Sequence, residues 1–261
     1  MIRGSTELVA IVGSPIAQVK SPENFNTWFA QHGKDLAMIA IDLDQQALDD
    51  FLATLRGWRN LRGCVVTVPY KQMLAPLLDG VSARAAALRS VNVIRREADG
   101  RLLGDNVDGD GFLNAARLHG FIGHGQRALV VGAGGVGEAG VSELTIADIS
   151  AERAQALAAI LRDAFPRLAV HTDYPSLAGF DLVVNASPTG MGGSGELPLP
   201  LAQLETLTAG TLVADVVTSP EITPLLDYAH RMGCPVQTGA EMAFAQLGNL
   251  GAFMGVTPQQ I

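Results

Sequence analysis

Gln126-Arg-Ala-Leu-Val-Val-Gly-Ala-Gly-Gly-Val-Gly137 is the stretch on which the reading of this chain turns. Ala128 to Val131 is a short apolar run of strand character, and glycines at 132, 134 and 137 follow it directly in the spacing G-x-G-x-x-G. In that spacing the first glycine permits a tight turn and the second lets backbone approach a pyrophosphate. The third allows close packing where a helix begins, so that helix N-terminal amides can hold phosphates. Asp148 ends the next apolar run, Glu143-Leu-Thr-Ile-Ala-Asp148. There an acidic side chain binds the ribose 2′-hydroxyl of NAD and repels the 2′-phosphate of NADP. The competing reading of Asp148 is an ordinary solvated carboxylate at a strand end. One thing does not fit: after Gly137 the chain reads Glu138-Ala-Gly-Val-Ser-Glu-Leu144 and is at once in the next strand. A parallel crossover with its helix needs about 10–12 residues or more. The expectation is therefore that roughly three helical turns are absent between Gly137 and Glu138, which a Cα–Cα separation well beyond ~3.8 Å would reveal.

On both sides of this loop, short β-branched runs alternate with helical patterns. Toward the N-terminus, strands are predicted at Leu8–Val12, Leu36–Leu43 and Gly63–Val68, with helices at Pro22–His32 and Gln45–Leu55. Phe25, Trp28 and Phe29 share one face of the first helix. Near-continuous apolar strands separated by helices point to parallel sheet covered on both faces. Asn92–Arg96 and Arg101–Gly104 flank Asp99-Gly100 and read as a hairpin, because Asp-Gly favours tight primed turns. A helix is expected from Gly111 to His119. Beyond it, strands are expected at 128–131, 144–149, 168–172, 180–185, 211–217 and 236–238, with a helix at Ala151–Arg162. The domain boundary is expected near Asp108 to Gly125, and a last helix, Ala240 to Phe253, is expected to fold back on the first domain.

Composition narrows the class. A length of 261 residues suggests one large or two modest domains, at roughly 150 residues each. Apolar residues at 48% and charged residues at 17% allow a real core and argue against disorder. The net charge is −8 with no basic block, which argues against a nucleic-acid partner. No stretch approaches the ~18 apolar residues of a membrane span. Cys64 and Cys234 are the only cysteines, so neither a disulfide framework nor a structural zinc site is expected, and a cytoplasmic, soluble protein is. His32, His119, His124, His171 and His230 match no ligand spacing. Asn106-x-Asp108-x-Asp110-Gly111 imitates the start of a calcium loop, but Arg117 stands where the bidentate glutamate belongs, so no metal is expected.

Several segments in order resemble the shikimate dehydrogenase family, over essentially the whole chain. Gly13-Ser-Pro-Ile-Ala-Gln-Val-Lys-Ser-Pro22 resembles its substrate-carboxylate loop, Val66-Thr-Val-Pro-Tyr-Lys71 its catalytic-lysine segment, and Ser90-Val-Asn92 its substrate-binding asparagine. Asn106-Val-Asp-Gly109 is similar to its catalytic aspartate turn. Asn185-Ala-Ser-Pro-Thr-Gly-Met191, Thr223-Pro-Leu-Leu226 and Gly239-Ala-Glu-Met-Ala-Phe-Ala-Gln246 resemble its later motifs.

The resemblance implies an α/β fold of two domains with the active site in the cleft between them. Residues 1–107 with 240–261 would form the substrate domain, and residues 108–239 a Rossmann-type NAD(P)-binding domain. It implies an NAD(P)-dependent oxidoreductase that reversibly oxidises a ring hydroxyl of shikimate, quinate or a related hydroxy acid. Such a reaction needs a group to take and return the hydroxyl proton. The resemblance assigns that work to Lys71 and Asp108, and substrate binding to Ser21, Thr67, Asn92 and Gln246. Cofactor binding falls to Gly132, Gly134, Gly135, Gly137, Asp148, Val216 and Gly239, with NAD preferred through Asp148 and NADP possible. Monomer or homodimer, and a biosynthetic or catabolic pathway, stay open.

Three positions depart from the family pattern. Val19 replaces the first serine of the S-x-S pair and leaves Ser21, Thr218 replaces a tyrosine, and Val66 replaces an asparagine. These keep two alternatives in view, a non-catalytic ligand-binding relative and a dehydrogenase of the same architecture with an unrelated small substrate.

Overall fold

A computed structural model of the chain describes residues 2–132 and 141–260, apart from the side chain of Ala164. The expected interruption after Gly137 lies outside the described residues, as do Gly134, Gly135 and Gly137. The chain divides into two compact units, residues 1–108 with 246–261, and residues 109–245.

In the first unit, β1 (Glu7–Gly13), β2 (Leu36–Asp42) and β3 (Leu61–Val66) pair in parallel, with β1 in the middle. Alternate β1 residues enter different cores. Val9 and Ile11 pack with Phe25, Trp28 and Phe29 of α1 (Ser21–Gln31). Ala10 and Val12 pack with Leu48, Phe51, Leu52 and Leu55 of α2 (Leu48–Gly57). That alternation is what a strand buried on both faces requires. Asn26 ties α1 to the sheet edge, its amide donating to the Met38 carbonyl at 2.9 Å and its oxygen accepting the Met38 N–H at 2.8 Å.

After β3 come a short α3 (Lys71–Leu74), β4 (Gly80–Val81), α4 (Ala83–Leu88), β5 (Val93–Arg96) and β6 (Leu102–Asp105). β5 and β6 form the expected hairpin, closed by Gly100 at φ 88°. They pair antiparallel beside β3, so the sheet is mixed, in the order β2-β1-β3-β5-β6-β4.

α5 (Asp108–Leu118) starts on the last residue of the first unit's 1–108 segment, and its remaining residues open the second unit, which carries β7 (Arg127–Val131), β8 (Glu143–Ala147), α6 (Ala151–Ala164), β9 (Ala169–His171) and β10 (Leu182–Asn185). It continues with α7 (Leu201–Leu204), β11 (Leu212–Asp215), α8 (Pro224–Arg231), β12 (Val236–Gln237) and α9 (Gly239–Ala245). All its strand pairs are parallel, in the order β12-β11-β10-β7-β8-β9. Counting β7 as the first strand, this is the 3-2-1-4-5-6 order of the doubly wound dinucleotide fold. Ala128 and Val130 face one core with Leu144 and Ile146, while Leu129 and Val131 face another with Val183 and Val213.

The expected last helix is two helices. α9 ends at Ala245, and α10 (Leu247–Met254) begins after Gln246 and packs in the first unit against β3, β5 and α1. The apolar pattern runs through both helices, so periodicity could not mark the break. The predicted helix from Gln45 likewise starts as a 3-10 turn capped by Asp44, and the third strand stops at Val66 because Thr67 to Tyr70 form a turn. α4 and α8 are announced only by capping hydroxyls, Ser82 and Thr223.

Candidate active site

The turn after β3 places a lysine at a strand end. The Thr67 N–H still bonds the Val12 carbonyl at 3.0 Å, holding the extension of β3 beside β1. The Tyr70 N–H then closes the turn onto the Thr67 carbonyl at 3.0 Å. The Tyr70 ring is buried with its hydroxyl on the Leu43 carbonyl, which anchors the turn, and Lys71 begins α3 immediately afterwards. Asn92 is fixed just as firmly between β3 and β6: its carbonyl accepts the Val66 N–H at 2.7 Å, and its own N–H donates to the Asp105 carbonyl at 2.9 Å.

These elements converge on Asp108, the first residue of α5. Lys71 Nζ meets Asp108 Oδ2 at 2.6 Å. Asn92 Nδ2 and Gln246 Nε2 both donate to Asp108 Oδ1, at 2.8 and 3.0 Å. The Asn92 oxygen meanwhile accepts the Val107 N–H at 2.8 Å, so one side chain holds both the backbone and the carboxylate of the turn. Burial alone would push the Asp108 carboxyl up. The Lys71 ammonium and the hydrogen bonds from Lys71, Asn92 and Gln246 outweigh it, and the carboxyl is held below the ordinary aspartate range. Among the described residues, the hydroxyls of Ser21 and Thr67 make no hydrogen bond within the protein. Four of the sequence-named residues, Lys71, Asn92, Asp108 and Gln246, thus form one bonded cluster inside the first unit.

A supporting layer escapes the sequence reading. Arg84 forks onto Asp105, Nε to Oδ1 at 2.8 Å and Nη2 to Oδ2 at 2.6 Å, and the Ser82 hydroxyl also bonds Oδ1. Asp105 Oδ1 also accepts the Asn106 N–H at 2.7 Å. The Asn106 side chain accepts the Asp108 N–H at 3.2 Å. The signal available was Asp105 itself, a buried carboxylate at the end of an otherwise apolar strand.

In the second unit, the described positions that the sequence reading gives to the cofactor follow the C-terminal ends of parallel strands, the edge where such sheets bind ligands. Gly132 follows β7 with φ 95°, and a Cβ there would sit 3.0 Å from the Ser187 nitrogen. Gly239 opens α9, where a Cβ would overlap the Val217 carbonyl. The Val216 N–H bonds the Asn185 carbonyl at 3.0 Å. Asp148 follows β8, its Oδ1 accepting the Ser150 N–H and Arg153 Nη2, both at 2.8 Å, with Ile149 beside it 99% exposed. Two close-packed glycines and a strand-end carboxylate on one edge fit a dinucleotide. Deeper in this unit, Asp215 is buried and accepts from Thr223 Oγ1 at 2.7 Å, the Val217 N–H at 3.0 Å and Asn185 Nδ2 at 3.1 Å. Burial pushes its carboxyl up despite those bonds.

The profile described as "Shikimate dehydrogenase substrate binding domain" matches residues 11–94. A protein of Rhodospirillum rubrum named "Shikimate dehydrogenase (NADP(+))" is 37% identical, over 99% of this chain and 95% of its own length. The chain belongs to the shikimate dehydrogenase family. It is an NAD(P)-dependent oxidoreductase of that type, acting on a CH–OH group. Among solved structures, quinate dehydrogenase from Corynebacterium glutamicum in complex with NAD has TM-score 0.83 at 30% identity, covering 96% of this chain and 94% of that one. The 5-ketofructose reductase of Gluconobacter sp. strain CHM43 has TM-score 0.85 at 25% identity, covering 97% and 94%. Of the clustered residues, Lys71 and Asn92 lie within the matched span 11–94, and Asp108 and Gln246 lie beyond it. Of the glycine loop, only Gly132 is among the described residues.

Proposed function

We propose that this member of the family reversibly oxidises a secondary ring hydroxyl of shikimate, quinate or a related hydroxy acid, with Lys71 and Asp108 handling the hydroxyl proton. The observation that carries the reading is the 2.6 Å pair of Lys71 and Asp108, with Asn92 and Gln246 on the same carboxylate. In the oxidising direction the amine of Lys71 takes the hydroxyl proton, and in reverse its ammonium returns it to the carbonyl oxygen. Asp108, held ionised, aims the Lys71 nitrogen and favours the return of a proton to it. Asn92, Thr67, Ser21 and Gln246 orient the ring through neutral hydrogen bonds. Bound NAD(P) supplies the hydride acceptor or donor.

The cofactor positions are Gly132, Gly134, Gly135, Gly137, Asp148, Val216 and Gly239, and NAD is favoured over NADP. Asp148 supports this choice through its charge, since a 2′-phosphate would sit against a carboxylate. Its bonds to Ser150 and Arg153 fix that carboxylate at the strand end, and the Arg153 guanidinium beside it is the group that would draw a 2′-phosphate if NADP were used instead.

Steady-state kinetics with shikimate and quinate, each with NAD and with NADP, test both parts. Turnover with a higher kcat/KM for NAD is the expected outcome. Equal or better use of NADP would overturn the role of Asp148, and no turnover with either cofactor would favour the non-catalytic relative. A second reading, the same chemistry on a different small substrate, is favoured by Val19, which offers no hydroxyl where the family resemblance places one.

A further inference from the structure

Asn106, Val107 and Asp108 form a turn whose backbone N–H groups are held by side chains. The Asp105 carboxylate accepts the Asn106 N–H at 2.7 Å, the Asn92 oxygen accepts the Val107 N–H at 2.8 Å, and the Asn106 oxygen accepts the Asp108 N–H at 3.2 Å. The Asn106 amide in turn donates to the Ser90 hydroxyl at 3.3 Å. The direction in which the Asp108 carboxylate leaves this turn is therefore set by three side chains, and Asp105 is the first of them.

A buried carboxylate stays charged only where charge and hydrogen bonds replace its lost water. Burial pushes the Asp105 carboxyl up, and the bonds from Arg84, Ser82 and the Asn106 N–H, with the Arg84 charge, carry it below the ordinary aspartate range. Arg84 supplies two of those bonds from one rigid plane, at 2.8 and 2.6 Å, so it fixes the rotation of the carboxylate as well as its charge. The plane itself stands on a fixed base. Ser82 caps α4 on the Ala85 N–H at 3.2 Å, bonds Asp105 Oδ1 through its hydroxyl, and donates its own N–H to the Gly104 carbonyl at 3.0 Å. The helix that carries Arg84 is thus pinned to the strand that carries Asp105. A lysine at this position would keep the charge and lose the fork.

We propose that Arg84 is a positioning residue for the reaction. Its fork holds the Asp105 carboxylate, Asp105 holds the start of the turn, and the turn aims Asp108 at the Lys71 nitrogen, 2.6 Å away. This rests on the dehydrogenase reading above and adds to the Lys71 and Asp108 pair the residue that keeps it aligned.

The test is Arg84→Lys in the whole enzyme, because it removes the fork without removing a charge. A misplacement of about 1 Å can cost ~10²-fold in rate, and a loosened turn moves Asp108 by part of that, so kcat with saturating cofactor should fall about tenfold while KM changes by less than about threefold. A carbon-13 NMR titration of the Asp108 carboxyl gives a second readout that mere loss of stability would not move. In Arg84→Lys that carboxyl should titrate closer to the ordinary aspartate value, since its contact with Lys71 has loosened. A kcat close to wild type overturns the proposal, and so does a loss that falls on KM, or a loss with Asp108 titrating as in wild type. If wild type oxidises neither shikimate nor quinate with NAD or NADP, the dehydrogenase reading is what fails. The titration then decides alone: a raised Asp108 carboxyl supports the role of Arg84, and an unchanged one overturns it. Should Arg84→Lys not fold, Asp105→Glu, which keeps the charge and displaces the carboxylate from the fork, is judged by the same results.

Discussion

Asp108 and Asp215 are aspartates at the sheet ends of the first and second units, each accepting hydrogen bonds from an asparagine amide and one or two other donors. Their carboxyls nevertheless shift in opposite directions: burial pushes both up, Asp215 stays up, and Asp108 is carried below its ordinary value. The difference is the Lys71 ammonium. Neutral donors at Asp215 replace water without replacing its full stabilisation of charge, whereas a cation at 2.6 Å favours the ionised form outright. The arrangement at Asp215 suits a brace that links Asn185, the 217 backbone and Thr223. The arrangement at Asp108 suits a group that must stay charged while its partner gains and loses a proton.

Removing the cation is the strongest way to break the comparison. Lys71→Ala is expected to lower kcat by about 10²–10⁴-fold, the usual contribution of a general acid–base group, while cofactor affinity changes little. Single-turnover kinetics and cofactor titration measure the two separately. A loss below about tenfold would show that Lys71 is not the proton shuttle and that the Asp108 arrangement is as structural as that at Asp215.

The two sites also differ in how far the sequence reveals them. Lys71, Asp108, Asn92 and Gln246 lie in short motifs whose order supports the resemblance, and the structure brings those four together in hydrogen-bonding distance. The strands β7 and β8 were legible because apolar runs bounded by Gly132 and Asp148 leave few other readings. What stayed hidden was long-range or side-chain-specific. Arg84 sits in an alanine-rich helix of six residues, and nothing local says that it forks onto Asp105. Asp215 ends an apolar strand much as Asp148 follows one, and only tertiary packing separates the buried brace at Asp215 from the strand-end position proposed for the cofactor at Asp148. The break at Gln246 was concealed because apolar residues run through both helices, although α10 buries Leu247, Leu250 and Met254 in the first unit while of α9 only Gly239 is buried.

A second measurement sharpens the comparison through stability. In Lys71→Met, Asp108 keeps its neutral donors and loses its cation, which makes it resemble Asp215. Breaking one side of a fully buried pair costs about 3–5 kcal/mol, but Lys71 and Asp108 side chains are 31% and 20% exposed, so about 2 kcal/mol is expected at pH 7. The sign with pH follows from the lowered carboxyl. Its contribution is present above the unfolded aspartate value, about 3.9, and is lost as pH falls through the folded value. The deficit of the variant in urea unfolding should therefore be larger at pH 7 than at pH 4. A deficit that is constant with pH would mean that Lys71 contributes packing and no charge.

The smallest expected effect is the mirror of that one. Asp215→Asn keeps the shape but can turn an NH₂ toward Thr223, Val217 or Asn185, all of which donate in the native arrangement. That mismatch costs about 1 kcal/mol. The wild-type carboxyl is raised, so its contribution is present below the unfolded value and is lost as pH rises through the folded one. Asparagine carries no such dependence, and the deficit of Asp215→Asn should shrink between pH 4 and pH 7, opposite in sign to Lys71→Met. Urea titrations of both variants at the two pH values read this directly. If the Asp215→Asn deficit grew with pH instead, Asp215 would be a stabilised anion, and the contrast between the two aspartates would vanish.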